Sequence, residues 1–419
     1  MYVRSFIQLA VGLSLASSLL LSATVAAVEL EHQDVLETNP VLSLKETLEL
    51  TFKRNPQQYQ LQARDRDVLA RQSRSATLLP KPPALALSHQ NDGLGSGRGE
   101  REWQADVEIP LWRLGQRAAR TAVAENAQLG VQASRESLLL AVAGQLREAV
   151  WELKMTESQL ALAKLRHETA LALERDVERR YQAGELAKTD LMLAQQESLQ
   201  ARTETVRADA ELNHARHRYS VLTGLQQIPG QLEEAQSSLE TYSEAHAFWQ
   251  EAEARVKLAE QERNLSTVES RDNLQLVVNT RSQRGAFDNA YNDSVGLSVR
   301  IPLSSESHTA LQLAAADMQV AQAIADRERL RYQLETAMHE AEHNLAVTRA
   351  ELQIASENEA IARESLRLAE KAFQLGETDL VALLRVRTQA YEAERALSAR
   401  QIQLQWDIAR FNQAVGVLP

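Results

Sequence analysis

The chain has no cysteine, so disulfides, thiolate metal sites and cysteine nucleophiles are all excluded. Proline (9) and glycine (15) are scarce for 419 residues. After Ile-Pro-Leu at 109–111, and again at 301–303, over a hundred residues pass before the next proline, so long uninterrupted helices can form there. Apart from the N-terminal run from Phe6 to Leu21, no stretch is apolar enough for a transmembrane helix. Net charge is −11, which makes nucleic acid a poor partner. What is abundant is Ala, Leu, Glu, Gln and Arg, the composition of long helices.

At the N-terminus, Arg4 precedes the apolar run, and small residues follow, ending Thr24-Val25-Ala26-Ala27. A basic start, an apolar middle and a small-residue cleavage site predict a secretory signal peptide over 1–27. No cysteine stands behind it to take a lipid. An exported chain without helical spans is either soluble outside the cytoplasm or part of a β-barrel.

The sequence repeats itself at an offset of 192 residues. Val107-Glu-Ile-Pro-Leu111 returns as Val299-Arg-Ile-Pro-Leu303, RDVERRYQAGE (175–185) as RLAEKAFQLGE (367–377), and ARHRYSVLTGL (215–225) aligns with DIARFNQAVGV (407–417). Three blocks with one offset indicate a duplicated unit: 28–227 and 236–419, joined by 228–235. Each unit predicts a helical stretch (Ser43–Leu79; Tyr242–Val268) with Ser43 or Ser243 as N-cap. Two strands follow around a turn at 91–100 or 282–293. Trp103, Ala105, Val107, Ile109 and Leu111 alternate with Gln104, Asp106 and Glu108, while Val295, Leu297, Val299, Ile301 and Leu303 share the matching apolar face. Ala84–Gln90 and Leu274–Arg281 are their partners. Then come long helices, Leu114–Arg180 and Ser307–Ala372, about 100 Å each at about 1.5 Å per residue. A turn at Gly184 or Gly376 leads into a shorter helix.

The long helices carry heptads. Leu146, Leu153, Leu160, His167, Glu174 and Tyr181 form one row, and Ala149, Thr156, Ala163, Ala170 and Val177 the other. Met338, Leu345, Leu352 and Ala341, Thr348, Ala355 repeat them. This register judges the string His339-Glu340-Ala341-Glu342-His343, which matches the H-E-x-x-H pattern of zinc hydrolases. With Met338 at position a, His339 is b and His343 is f, away from the seam, and the first unit has Arg147 and Trp151 there. No third ligand is fixed nearby, so the string is read as an accident of a helical composition. His214 and His217 have no counterpart in the second unit, and His89 and His308 flank strands. No catalytic set and no cofactor site is legible, and no enzyme is expected.

Four strands cannot close a barrel that begins at about 8, and open edges cannot stand in lipid. If they span a membrane, several chains must share one barrel; otherwise they form a soluble sheet under their own helices. Signal peptide, tandem repeat, two strands and a very long helix per unit, and Tyr-Gln-Ala-Gly and Phe-Gln-Leu-Gly turns together resemble the TolC family of outer-membrane efflux ducts. The resemblance implies an α+β fold: a coiled-coil helical barrel, with four strands per chain contributed to a 12-stranded barrel of a homotrimer. It implies outer-membrane lipid around Trp103, Val107, Ile109, Val295, Leu297, Val299 and Ile301, and a long periplasmic extension. At the tip, a periplasmic adaptor (membrane fusion) protein and an inner-membrane pump of the RND type would dock, with Gly184, Asp190, Gly376, Glu377, Asp379, Arg385 and Arg387 as contact and gating residues. Where the family often narrows the tip with acids, this chain has Ala382 and Arg385, with Asp190 in the first unit. Arg385 and Arg387 with Glu377 and Asp379 are instead expected to form closing salt links. Compactness and the missing anchor cysteine resemble the CzcC-like heavy-metal subgroup. A periplasmic adaptor and a type I protein-secretion duct are the alternatives.

Overall fold

The computed structural model describes residues 35–239, 241, 244–303 and 306–419. The expected signal peptide, the N-cap Ser243 and the side chain of His308 lie outside the described residues.

The chain order is β1 (Glu37–Asn39), α1 (Leu44–Arg54), α2 (Gln58–Ala76), β2 (Ala84–Asn91), β3 (Arg101–Pro110), α3 (Gln116–Gln182), α4 (Lys188–Thr223), β4 (Gln227–Pro229), α5 (Ala247–Glu269), β5 (Gln275–Arg284), β6 (Asn292–Arg300), α6 (Glu306–Gln374) and α7 (Leu380–Ala414). Ser43 starts α1 as expected. Its hydroxyl accepts from the Glu46 N–H while Glu46 accepts from the Ser43 N–H, a reciprocal capping box. The single helix expected over Ser43–Leu79 is two helices, because Pro56 has no N–H to donate and forces Asn55 into an extended conformation. In the second half the cap is His246, whose Nδ1 accepts from the Phe248 N–H at 3.2 Å.

β2, β3, β5 and β6 form one antiparallel sheet in that order. Register places Leu85 opposite Val107, Val107 opposite Val278, and Val278 opposite Leu297. Opposed residues share a face, so the large apolar positions of the four strands, Val277 apart, fall on one side. Ile301 and Leu303, expected to extend β6, lie beyond its end at Arg300, since Pro302 cannot donate to a ladder.

The helices stand in two stacked rows. Close to the sheet, α2 packs on α3, α3 on α5 and α5 on α6; farther away, α4 packs on α3, α3 on α7 and α7 on α6. Each long helix therefore carries two shorter ones along its length. The main core lies where the rows meet. Leu138, Val142, Leu146, Val150 and Leu153 of α3 pack there with Leu48, Leu212, Tyr219, Ile228, Leu232 and Ala409. The expected joining segment is thus no loose tether. β4 pairs in parallel with β1, Ile228 and Leu232 are buried, and the Tyr219 hydroxyl donates to the Gln227 carbonyl at 2.9 Å.

Arg147 and Trp151, read from the heptad as lying away from the seam, are buried at 2% and 5% exposure. The Arg147 guanidinium makes a bidentate pair with Glu234 (2.8 and 2.5 Å) and donates to Gln413 Oε1 and the Val417 carbonyl. One side chain thereby ties α3, the segment between the halves and the C-terminal residues.

Candidate functional site

The sheet has two unlike faces. On one, Leu85, Leu87, Trp103, Val107, Val278, Val295, Leu297 and Val299 are all exposed. Ile109 joins them opposite Leu276, and Trp103 stacks on His89 with ring centroids 4.0 Å apart. The other face is polar: Arg281 pairs with Glu102 at 2.5 Å, Arg300 with Glu108 at 3.4 Å, and Gln104 donates to Asp106 at 2.7 Å. An exposed apolar face of this extent opposite a charged one is the arrangement of a barrel wall, lipid on one side and water on the other. The long edges of β2 and β6 have no partner among the described residues.

At the far end, both hairpins turn by the same device. Gly184 and Gly376 have φ of 81° and 75°, a left-handed conformation that only glycine adopts without strain. Their N–H groups donate to the Tyr181 and Phe373 carbonyls, and Glu185 and Glu377 donate back to Arg180 and Ala372. This is a Schellman closure. The next helices are then capped by acids. Asp379 accepts from the Ala382 N–H at 2.7 Å, and Asp190 accepts from the Ala187 N–H at 3.1 Å. The two turns sit side by side, with Leu173, Val177 and Ala194 packed on Phe373, Leu380 and Leu383 and the Arg180 guanidinium 5.1 Å above the Phe373 ring.

The expected set of salt links at the tip is not brought together within one chain. Asp379 is engaged as a cap, Arg387 pairs with Glu370 at 2.7 Å and donates to the Thr169 carbonyl, and among the described residues Arg385 and Glu377 form no ion pair. The hairpins are tied higher up by residues that sequence reasoning missed. Arg166 holds Glu197 and Glu204 at 2.9 and 2.7 Å, and its guanidinium lies 4.7 Å over the Tyr391 ring. The Tyr391 hydroxyl donates to Glu204 at 2.8 Å. Burial, together with this bond to a carboxylate, pushes Tyr391 up to about 12. Neither Arg166 nor Tyr391 has a like residue 192 positions away, so searching for repeats passes over both.

His339 and His343 are exposed on α6 with nearly parallel rings, centroids 6.4 Å apart. Among the described residues no three His, Asp or Glu side chains are grouped to hold a metal, and no helix is long and apolar enough to cross a membrane.

Two outer helices keep apolar rows that nothing in the chain covers. On α6, Val347, Ile354, Ile361 and Leu368 recur every seven residues, all exposed, and Leu375 continues the spacing just past its end; on α4, Met192, Leu199 and Val206 do the same. Heptad rows of this kind are half of a coiled-coil seam. They lie on opposite ends of the row α4–α3–α7–α6, as β2 and β6 lie on opposite edges of the sheet.

Comparison with known proteins agrees with this geometry. Residues 238–417 match the family described as outer membrane efflux protein. The fold is similar to VceC, an outer membrane protein of Vibrio cholerae (TM-score 0.71, 15% identity, covering 90% of this chain and 97% of that one). It is also similar to the Campylobacter jejuni CmeC outer membrane channel (0.71, 13%, 89% and 85%) and to the open state of the Neisseria gonorrhoeae MtrE outer membrane channel (0.66, 15%, 89% and 89%). Comparison by sequence with characterised proteins finds no match. The family match covers residues 238–417, and the fold is that of these channels over about nine-tenths of the chain.

Proposed function

We propose that three copies close into a passive exit duct, a 12-stranded barrel continued by a 12-helix tunnel. It would carry solutes from an inner-membrane pump of the RND type and a periplasmic adaptor to the outside. The observation that carries the reading is the pair of unlike, uncovered sides. The first half ends in β2, α2 and α4, and the second in β6 and α6. A head-to-tail contact between such sides generates a ring, and a closed barrel is the only sheet that leaves no edge in lipid. The two halves, 28–227 and 236–419, act as repeats joined across 228–235.

In the ring, Trp103, Val107, Ile109, Val295, Leu297 and Val299 face lipid and Ile301 sits at the membrane boundary. Glu102, Asp106, Glu108, Arg281 and Arg300 face the lumen. Gly184 and Gly376 set the turns that meet the adaptor. Asp190 and Asp379 hold the helix starts, Arg387 braces the second hairpin through Glu370, and Arg385 with Glu377 is free to contact the neighbouring protomer and narrow the mouth. Heavy-metal cations are the proposed cargo class, and a duct needs no ligand cluster to pass them.

Single-channel conductance in planar bilayers tests the gate. Arg385→Ala is expected to raise it, and an unchanged value counts against a role in closing. Growth of a deletion strain on zinc, cobalt, cadmium, nickel, copper and silver beside dyes and detergents tests the cargo. Sensitivity confined to cations is the expected result. Sensitivity to amphiphiles overturns the metal assignment, and no phenotype in either class turns the reading to protein secretion.

A further inference from the structure

We infer that the loop end of the sheet holds a site for the phosphate of an outer-leaflet glycolipid, made by Arg101 and Arg284 on the apolar face. This rests on reading the sheet as a barrel wall, and three observations lead from that wall to the site.

The first is an unbalanced pair of charges. Antiparallel register sets Arg101 of β3 directly opposite Arg284 of β5, and like charges facing each other across a strand pair are destabilising. Arg101 is exposed and, among the described residues, joins no ion pair. Arg284 lies 5.6 Å over the Tyr291 ring and reaches only the Gly99 carbonyl, at 3.5 Å. The opposite face of the same sheet treats arginine differently, since Glu102 holds Arg281 and Glu108 holds Arg300. Nearby acids do not supply the missing counter-charge. Asp92 accepts from the Ser96 hydroxyl and from the Arg98 and Gly99 N–H groups, and Asp288 accepts from the Gly285 N–H. Glu100 and Asp293 are exposed and join no ion pair among the described residues.

The second is height. Side chains two apart on a strand share a face, so Arg101 stands above Trp103 by about 7 Å of strand. Trp103 is 56% exposed, and on the helix side of it the same face is aliphatic, with Leu85, Val107 and Leu297 exposed. Aromatic rings mark the level at which a barrel's apolar band gives way to headgroups. The two guanidinium groups therefore lie at headgroup height, at the end of the sheet farthest from the helices, which is the outer leaflet.

The third is chemistry. Each guanidinium offers a planar fork of donors that meets phosphate oxygens two at a time. A phosphate monoester carries a charge of about −1.5 to −2, enough to balance two arginines, whereas a zwitterionic headgroup carries none. Seated between Arg101 and Arg284, it replaces their repulsion with two charge-assisted pairs. The acyl chains below it then lie along Trp103 and the aliphatic face, a contact that a soluble anion cannot make.

The test places the full-length protein in phosphatidylethanolamine nanodiscs doped with increasing amounts of bis-phosphorylated lipid A, and counts the lipid A retained per chain by native mass spectrometry. At least one per chain is expected at saturation. Apparent affinity should fall about tenfold or more in Arg101→Gln and in Arg284→Gln, the loss of a charge-assisted hydrogen bond. It should not change in Arg281→Gln, on the other face of the same strand. Affinity that both variants leave unchanged overturns the site, as does an equal fall in Arg281→Gln or equal retention of lipid A stripped of its phosphates. Release of lipid A by millimolar inorganic phosphate overturns the lipid assignment in favour of a soluble anion. The wall itself is tested separately with Val107→Cys, since the chain has no native cysteine. In the nanodisc this thiol should resist a water-soluble maleimide. Ready labelling overturns the wall and the site with it, whereas protection with unchanged lipid A binding in the arginine variants overturns the site alone.

Discussion

The two long helices share a heptad and nearly a length, 67 and 69 residues, yet they are used differently. α3 stands inside its rows, touched by α1, α2, α4, α5 and α7, and buries residues all round, including Arg147 and Trp151. α6 stands at the end of both rows, with α5 and α7 on one side, and leaves an apolar heptad open on the other. The same heptad positions that hold Arg147 and Trp151 in the first half hold exposed His339 and His343 in the second. Position in the row, not local sequence, decides which face of a helix is core.

The sharpest way to break this comparison is to treat both helices alike at one heptad position. Arg147→Met leaves the Glu234 carboxylate buried without its partner and should cost about 3–5 kcal/mol in chemical unfolding. His339→Met should change stability by less than about 0.5 kcal/mol. Equal effects would mean that the two helices are buried alike. Next in size, Ile361→Asp should leave helical content intact and weaken assembly by about 2–3 kcal/mol per interface, the loss of a buried aliphatic side chain. Sedimentation equilibrium would read it as dissociation, and an unchanged mass would mean the row faces something other than a copy.

Smaller still, Gly376→Ala puts a side chain at φ 75° and should cost about 1–2 kcal/mol, as should Gly184→Ala, both seen in the thermal midpoint. The least effect is one of pH. Burial holds the His246 imidazole below its ordinary pKa, and its Nδ1 must stay unprotonated to cap α5. A depressed pKa contributes stability above the unfolded value of about 6.5 that is lost as pH falls through the folded one. The midpoint should therefore drop on acidification below about pH 6.5, and His246→Asn, which caps without titrating there, should flatten that slope.

The parts of the fold legible in sequence were those with a strict period or a hard steric rule. Alternation at Trp103–Ile109 and Val295–Val299 placed β3 and β6 on the right faces, and glycine after Tyr-Gln-Ala and Phe-Gln-Leu placed both turns. Pro56 carries the signal for the break, but the helical composition on both sides of it masks that signal. The burial of Arg147 was not legible, because its partner Glu234 lies 87 residues away in a segment that read as a polar join. Nor were the ties from Arg166 and Tyr391 to Glu204, since they cross between hairpins and belong to neither repeat. The uncovered rows on α4 and α6 were present in the letters, but only the structure shows which heptad row the chain itself leaves open.

On this reading, the uncovered sides of one chain are completed by further copies of it. The native mass of the detergent-extracted protein tests this most directly. Three chain masses in one particle are the predicted result. A particle of one chain mass, stable in detergent with β2 and β6 unpaired, would contradict the account.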